Sequence, residues 1–212
     1  TVGLNQLNTT GTPDGSLFLR DDLVWSGAGG AVVALATTTA SGDSSIDFKS
    51  TDGINHATYS HYILTWQNVV PSADANLNIR LSDDDGSTFE ADAGDYCWAV
   101  SGMDVDGVAV SNYSASATSI GLTTNPQPSA GIGTCGELTW FPVRGATAGN
   151  NEMIWAISGD EVTSGDRHHA NGFGGTLNVA GDSGGFDAIQ FIQNTGTITS
   201  GIFNLYGVTK PS

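Results

Sequence analysis

The residues best suited to covalent chemistry are Gly181-Asp182-Ser183-Gly184-Gly185, which set a serine hydroxyl in a glycine-rich loop. A serine nucleophile needs a histidine base within about 3 Å, a carboxylate to orient that base, and backbone amides to hold the oxyanion. His56 and Asp104 precede Ser183 in an order that fits. Two other clusters carry reactive or ligating side chains. Ser82-Asp83-Asp84-Asp85-Gly86-Ser87-Thr88-Phe89, followed by Glu90, Asp92 and Asp95, crowds together oxygens of the kind calcium takes. His168 and His169 follow Asp166 and Arg167 and precede Gly172-Phe173-Gly174-Gly175.

Each cluster also has a simpler reading. The serine loop resembles the nucleophile loop of chymotrypsin-like proteases, which are all-β and of comparable length. Yet Gly53-Ile54-Asn55-His56-Ala57 lacks the Ala-Ala-His-Cys setting of the protease base, and Asp104-Val105-Asp106-Gly107 reads as a solvated turn. Thr1-Val2-Gly3-Leu4 supplies no convincing activation terminus. Five residues from a Gly/Ser/Asp-rich chain match by chance, so a flexible loop leading into a strand is the expectation.

The acidic run resembles the Asp-box of sialidases and other β-proteins, Ser-x-Asp-x-Gly-x-Thr with an aromatic. Ser82, Asp84, Gly86, Thr88 and Phe89 would then brace a hairpin. Asp84 would accept amides across the turn, Gly86 would supply positive φ, and Phe89 would plug the base. A propeller would need several copies, and only one is present. Calcium at Asp83, Asp84 and Asp85 is the lesser alternative, because the EF-hand's distant bidentate glutamate is missing. Adjacent histidines on a strand face opposite sides, so His168 and His169 cannot chelate one ion together. A symmetry axis could gather copies of one of them, but an exposed polar strand is simpler. No catalytic residue, metal or cofactor is expected.

The elements that must position these groups are strands. Glycine is abundant at 29 of 212 residues, and Ser, Thr and Asn crowd between short apolar runs, as in strands joined by tight turns. Strand-length segments recur at Tyr59 to Val70, Asn76 to Leu81, Tyr96 to Met103, Ser119 to Thr123, Gly136 to Val143, Glu152 to Ser158, Ala188 to Gln193 and Gly201 to Val208. Ile63, Thr65, Gln67 against Tyr62, Leu64, Trp66, and Leu77, Ile79, Leu81 against Asn76, Asn78, Arg80, alternate as one buried and one wet face require. Trp25, Trp66, Trp98, Trp140 and Trp155 all fall in or beside such segments and are expected in the core. Cys97 and Cys135, in apolar strand-like segments, are read as buried free thiols, with a bridge as the lesser option.

The fold class is therefore all-β, a β-sandwich that is jelly-roll-like over residues 46–212, preceded by an extended N-terminal arm over residues 1–45. The arm is polar and rich in chain breakers to Gly15. Phe18, Leu19, Arg20 and Trp25 then serve as docking anchors.

Six Lys plus Arg against 22 Asp plus Glu give a net charge of −16, which repels phosphate backbones and anionic lipid. Nucleic acid is thus a poor partner. No apolar run approaches the roughly 20 residues that span a bilayer, and Thr1-Val2-Gly3-Leu4-Asn5 lacks the basic and apolar regions of a secretory signal.

A resemblance adds to this reading. Gly11-Thr12-Pro13-Asp14-Gly15-Ser16-Leu17-Phe18-Leu19-Arg20-Asp21-Asp22-Leu23-Val24-Trp25 resembles a recurrent phage tail-fibre segment, with Asp21-Asp22 where Gly-Asp is usual. Asp187-Ala188-Ile189-Gln190-Phe191 through Ser200-Gly201-Ile202-Phe203-Asn204-Leu205-Tyr206-Gly207-Val208 looks like the closing hairpin of a domain in phage virion proteins. Tyr59 to Pro71 and Arg80 to Phe89 echo two further segments of such proteins.

The resemblance implies a virion structural protein, a fibre, spike or appendage module assembled in the host cytoplasm and later extracellular. It would contact other virion proteins through the arm, form a homo-oligomer with a trimer favoured, and meet a host surface glycan or protein. Loops near Asp104 and Asp106, Asn125 to Gly133, Asn150, and Gly159 to Gly175 with His168 and His169 are the expected contacts. A capsid decoration protein is the rival of the same class. A serine protease and a free carbohydrate-binding module are the rivals of other classes.

Overall fold

A strand with one apolar face is stable only when that face is covered, so alternating segments pair into sheets and the sheets stack. The computed structural model describes residues 17–19, 25–27, 31–103, 107–123, 133–142, 153–163, 166–176 and 185–210. The strands are β1 (Leu17–Leu19), β2 (Trp25–Gly27), β3 (Val32–Ala40), β4 (Ser45–Phe48), β5 (Tyr59–Pro71), β6 (Leu77–Ser82) and β7 (Tyr96–Met103). They continue with β8 (Ala109–Ala117), β9 (Ile120–Gly121), β10 (Thr134–Phe141), β11 (Met153–Thr163), β12 (Asp166–Thr176), β13 (Ala188–Gln193) and β14 (Ile198–Thr209). Among the described residues a single 3-10 turn, Ser50–Asp52, is the only helical piece.

The strands form an eight-stranded sheet in the order β3-β14-β5-β10-β11-β12-β7-β8 and a four-stranded sheet in the order β4-β13-β6-β9. Every pairing is antiparallel. The pairs are nested along the chain: β3 bonds β14, β4 bonds β13, β5 bonds β10 and β6 bonds β9. The pairs β7–β8 and β11–β12 are excursions from this scheme that widen the large sheet beyond β10.

The two sheets pack face to face as a sandwich. Tyr62, Leu64 and Trp66 of β5 are fully buried, while Ile63, Thr65 and Gln67 between them are partly or fully exposed. Leu77, Ile79 and Leu81 of β6 are likewise buried from the opposite sheet. The ring of Phe191 on β13 lies 6.0 Å from Trp66 and 5.0 Å from Phe203, both on the large sheet. The Tyr96 hydroxyl on β7 accepts the Leu81 amide at 2.9 Å and donates to the Glu90 carbonyl at 3.1 Å, so a polar group also crosses the core with its bonds satisfied. Burial pushes that phenol well above its ordinary value. Trp66 and Trp140 are core residues and Trp98 packs at the core's margin. The side chains of Trp25 and Trp155 lie outside the described residues.

Four expectations are corrected. The sandwich starts well before residue 46, because β3 hydrogen-bonds along most of β14 as an edge of the large sheet and β4 contributes Ile46 and Phe48 to the core. Leu17–Leu19 and Trp25–Gly27 pair as a small antiparallel hairpin, Phe18 opposite Ser26 and Leu19 opposite Trp25, so this part of the arm is not simply extended. Gly159 to Gly175 is mostly the pairing of β11 with β12 and not a loop.

The cysteines are the fourth. Both are free, but Cys97 is only partly buried and Cys135 is exposed, at a bulge where Gln67 and Asn68 oppose it and the Asn68 amide points at its sulfur. Two strands, β11 and β12, separate their strands in the sheet.

Candidate functional site

The acidic run Ser82 to Phe89 follows β6 as a tight turn held by its own side chains. Asp84 Oδ1 accepts the Thr88 amide at 2.8 Å and the Ser82 hydroxyl at 2.6 Å, and Asp84 Oδ2 accepts the Thr88 hydroxyl. Ser82 Oγ accepts the Gly86 amide at 2.9 Å. Asp85 and Gly86 both have positive φ, 56° and 71°, and at the second of these glycine removes the steric cost. The bonds from Ser82 and Thr88 hold the Asp84 carboxyl down at about 2. Phe89 at the end of the turn is half-buried.

This turn clamps its neighbours. Asp85 Oδ1 accepts the Ser50 amide at 2.8 Å, which holds the Asp85 carboxyl below its ordinary value. Lys49 Nζ donates to the Gly86 carbonyl at 3.2 Å. The Asp85 amide donates to Asp187 Oδ1 at 2.8 Å, just before β13. Burial raises the Asp187 carboxyl, against the pull of that amide. With Asp84 and Asp85 turned to donors in this way, Asp83, Asp84 and Asp85 do not converge. Among the described residues no three His, Cys, Asp or Glu side chains are grouped to hold a metal.

Between the 3-10 turn, the segment leading into β5, and Asp187 lies an open cleft of about 480 Å³. Ser50, Asn55, His56, Thr58, Tyr59 and Asp187 contribute to its lining. Its frame is tied to strands at several points. The Asn55 amide donates to the Tyr62 hydroxyl at 2.7 Å, and Asn55 Oδ1 accepts the Ala57 amide at 2.9 Å. Lys210 Nζ donates to the His56 carbonyl at 2.7 Å and the Lys210 amide to the Thr58 carbonyl at 3.1 Å. Lys210 is therefore anchored to this segment by both its side chain and its backbone.

His56 is 6% exposed, and its Nε2 lies 2.6 Å from the Phe186 carbonyl, edge-on to Tyr62 and Trp140. A ring nitrogen held by a carbonyl donates its proton there and does not act as a base at that atom. Ser183 and Asp104 lie outside the described residues, as do Asp106, Asn150, Arg20, and the ranges 124–132 and 143–152. His168 and His169 fall on β12, opposite Asp160 and Gly159 of β11.

Of the cleft, the sequence marked His56 for a different chemistry, and Tyr59 and Asp187 only as parts of strand and hairpin segments. Ser50, Asn55 and Thr58 are ordinary loop residues, and nothing in their spacing signals that they share a wall with Asp187, more than 120 positions away. No protein-family model matches the chain, and no curated protein matches it either.

Proposed function

We propose that this chain is a structural module of a bacteriophage particle, displayed as part of a fibre, spike or other appendage, and that it works by presenting a rigid surface and not by catalysis. The observation that carries this reading is the nested strand order. We read it as a jelly roll, an architecture used by viral capsid and lectin domains. The stretch from Asp187 to Val208, which resembles the closing hairpin of phage virion proteins, supplies β13 and β14. Each lies between two neighbours in its sheet, so that stretch organises the domain.

The engagement of His56 with a backbone carbonyl supports a non-catalytic role. A serine-directed phosphonate is expected to leave Ser183 unlabelled, as read by intact-protein mass spectrometry.

The direct test is mass spectrometry and cryo-electron microscopy of virus particles that encode this chain. Stoichiometric copies at the tail or baseplate are expected, with the segment before β3 against another virion protein. Density on the capsid shell would make the chain a decoration protein. Absence from purified particles would overturn the virion role. Light scattering of the isolated protein checks the trimer.

A further inference from the structure

We infer that the cleft formed by Ser50, Asn55, Thr58, Tyr59 and Asp187 is a binding site for a neutral, hydroxyl-rich ligand, a hexose or short uncharged glycan. The inference does not depend on the virion role, since a free sugar-binding module would use the same site.

Volume comes first. About 480 Å³ falls in the range of small-molecule sites, roughly 300–1,000 Å³, and suits one or two sugar rings. The second argument is rigidity. The Asp85–Ser50, Asp85–Asp187, Asn55–Tyr62 and Lys210–His56 bonds fix four points of the wall to the sandwich. Little ordering is then left to oppose a weak ligand.

Lining chemistry decides the class. Ser50 and Thr58 bring hydroxyls, Asn55 an amide and Asp187 a carboxylate, which together match the mixed donors and acceptors of a polyol. Tyr59 adds a partly exposed aromatic ring. That ring packs on the backbone of Gly207, where a Cβ would lie 2.5 Å from its Cδ1, so the glycine lets it lie flat against β14. An aromatic surface beside hydrogen-bonding groups suits a sugar, which is apolar on its C–H face and polar at its rim. Among the described residues no cationic side chain lines the cleft, and Lys210 Nζ is engaged by the His56 carbonyl. Phosphorylated or sialylated ligands would meet the Asp187 carboxylate with no cationic side chain in the lining to pair with them.

The experiment is saturation-transfer NMR on the full chain with a panel of methyl hexosides and N-acetylglucosamine disaccharide, and with sialyllactose as the acidic control. Transfer to at least one neutral probe is expected, with none to sialyllactose. Asp187→Asn keeps an oxygen to accept the Asp85 amide but removes the charge, and should weaken binding about tenfold. Thr58→Trp puts a bulky ring into the cleft from an exposed position and should abolish transfer while the melting temperature stays unchanged. Lack of transfer to every neutral probe overturns the inference. So does binding that survives both substitutions, and so does a preference for the acidic sugar.

Discussion

Asp84 carries the heaviest local load of the acidic residues, and its chemistry fixes how the turn responds to acid. Its folded carboxyl sits at about 2, below the ordinary 3.8, because Ser82 and Thr88 bond its ionised form. A depressed folded value contributes stability that is complete above the unfolded value and disappears as pH falls toward 2. Glu90 and Asp187 run the other way: burial raises both, so their contribution is present in acid and fades as pH rises through their folded values. Between about pH 5 and pH 2 the wild type should lose the Asp84 contribution to its melting temperature, and Asp84→Asn should melt lower at neutrality and lack that part of the acid response. An unchanged acid slope in Asp84→Asn would show that the loss arises elsewhere.

The cysteines give a second test at the same scale. Three strand spacings of about 4.8 Å put their backbones some 14 Å apart across the sheet, beyond the roughly 7 Å a disulfide tolerates. Both should alkylate under non-reducing conditions, Cys135 before Cys97, as followed by peptide mass spectrometry.

At the scale of elements, strands that bury one face were legible and strands that do not were hidden. Tyr96–Met103 and Ala188–Gln193 fall where the apolar pattern puts them, and Tyr59–Pro71 differs by one residue. Val32–Ala40 looks like part of the arm because it is a sheet edge, largely exposed, whose threonines and alanines need not alternate. Ala109–Ala117 hides for the same reason at the opposite edge.

Asp166–Thr176 is different, since it is internal to the sheet yet rich in glycine. Its glycines yield space to larger neighbours. A Cβ at Gly172 would sit 2.8 Å from Val100 Cγ2, and one at Gly174 would sit 2.7 Å from Ile120 Cγ2. Composition makes that strand look like a loop because its partners supply the bulk. Gly174→Ala should accordingly cost about 1–3 kcal/mol by overpacking, measured by urea unfolding. The cleft stayed hidden for a related reason: its residues are brought together by strand pairing between distant parts of the chain, which no local pattern encodes.

For the whole molecule, the domain boundary makes the sharpest prediction. Deleting residues 1–30 should leave a cooperatively unfolding sandwich, whereas deleting residues 1–45 removes β3 and the first residue of β4 and exposes one edge of β14. The second truncation should lose the sharp thermal transition in circular dichroism, and equal stability of the two would refute the placement of β3. The chain's charge of −16 accompanies an apolar core, so it shapes solubility and the choice of partners more than the fold.

The position of β14 between β3 and β5 also sets a timetable for the protein's birth. The earliest strand of the sandwich to leave the ribosome finds its hydrogen-bonding neighbour only once Ile198 to Thr209 have been translated, so the large sheet closes late in the synthesis of this domain. A premature stop codon anywhere ahead of Ile198 would leave the nascent chain without the strand that joins β3 to β5 in that sheet. Quality control would then see an unfinished domain.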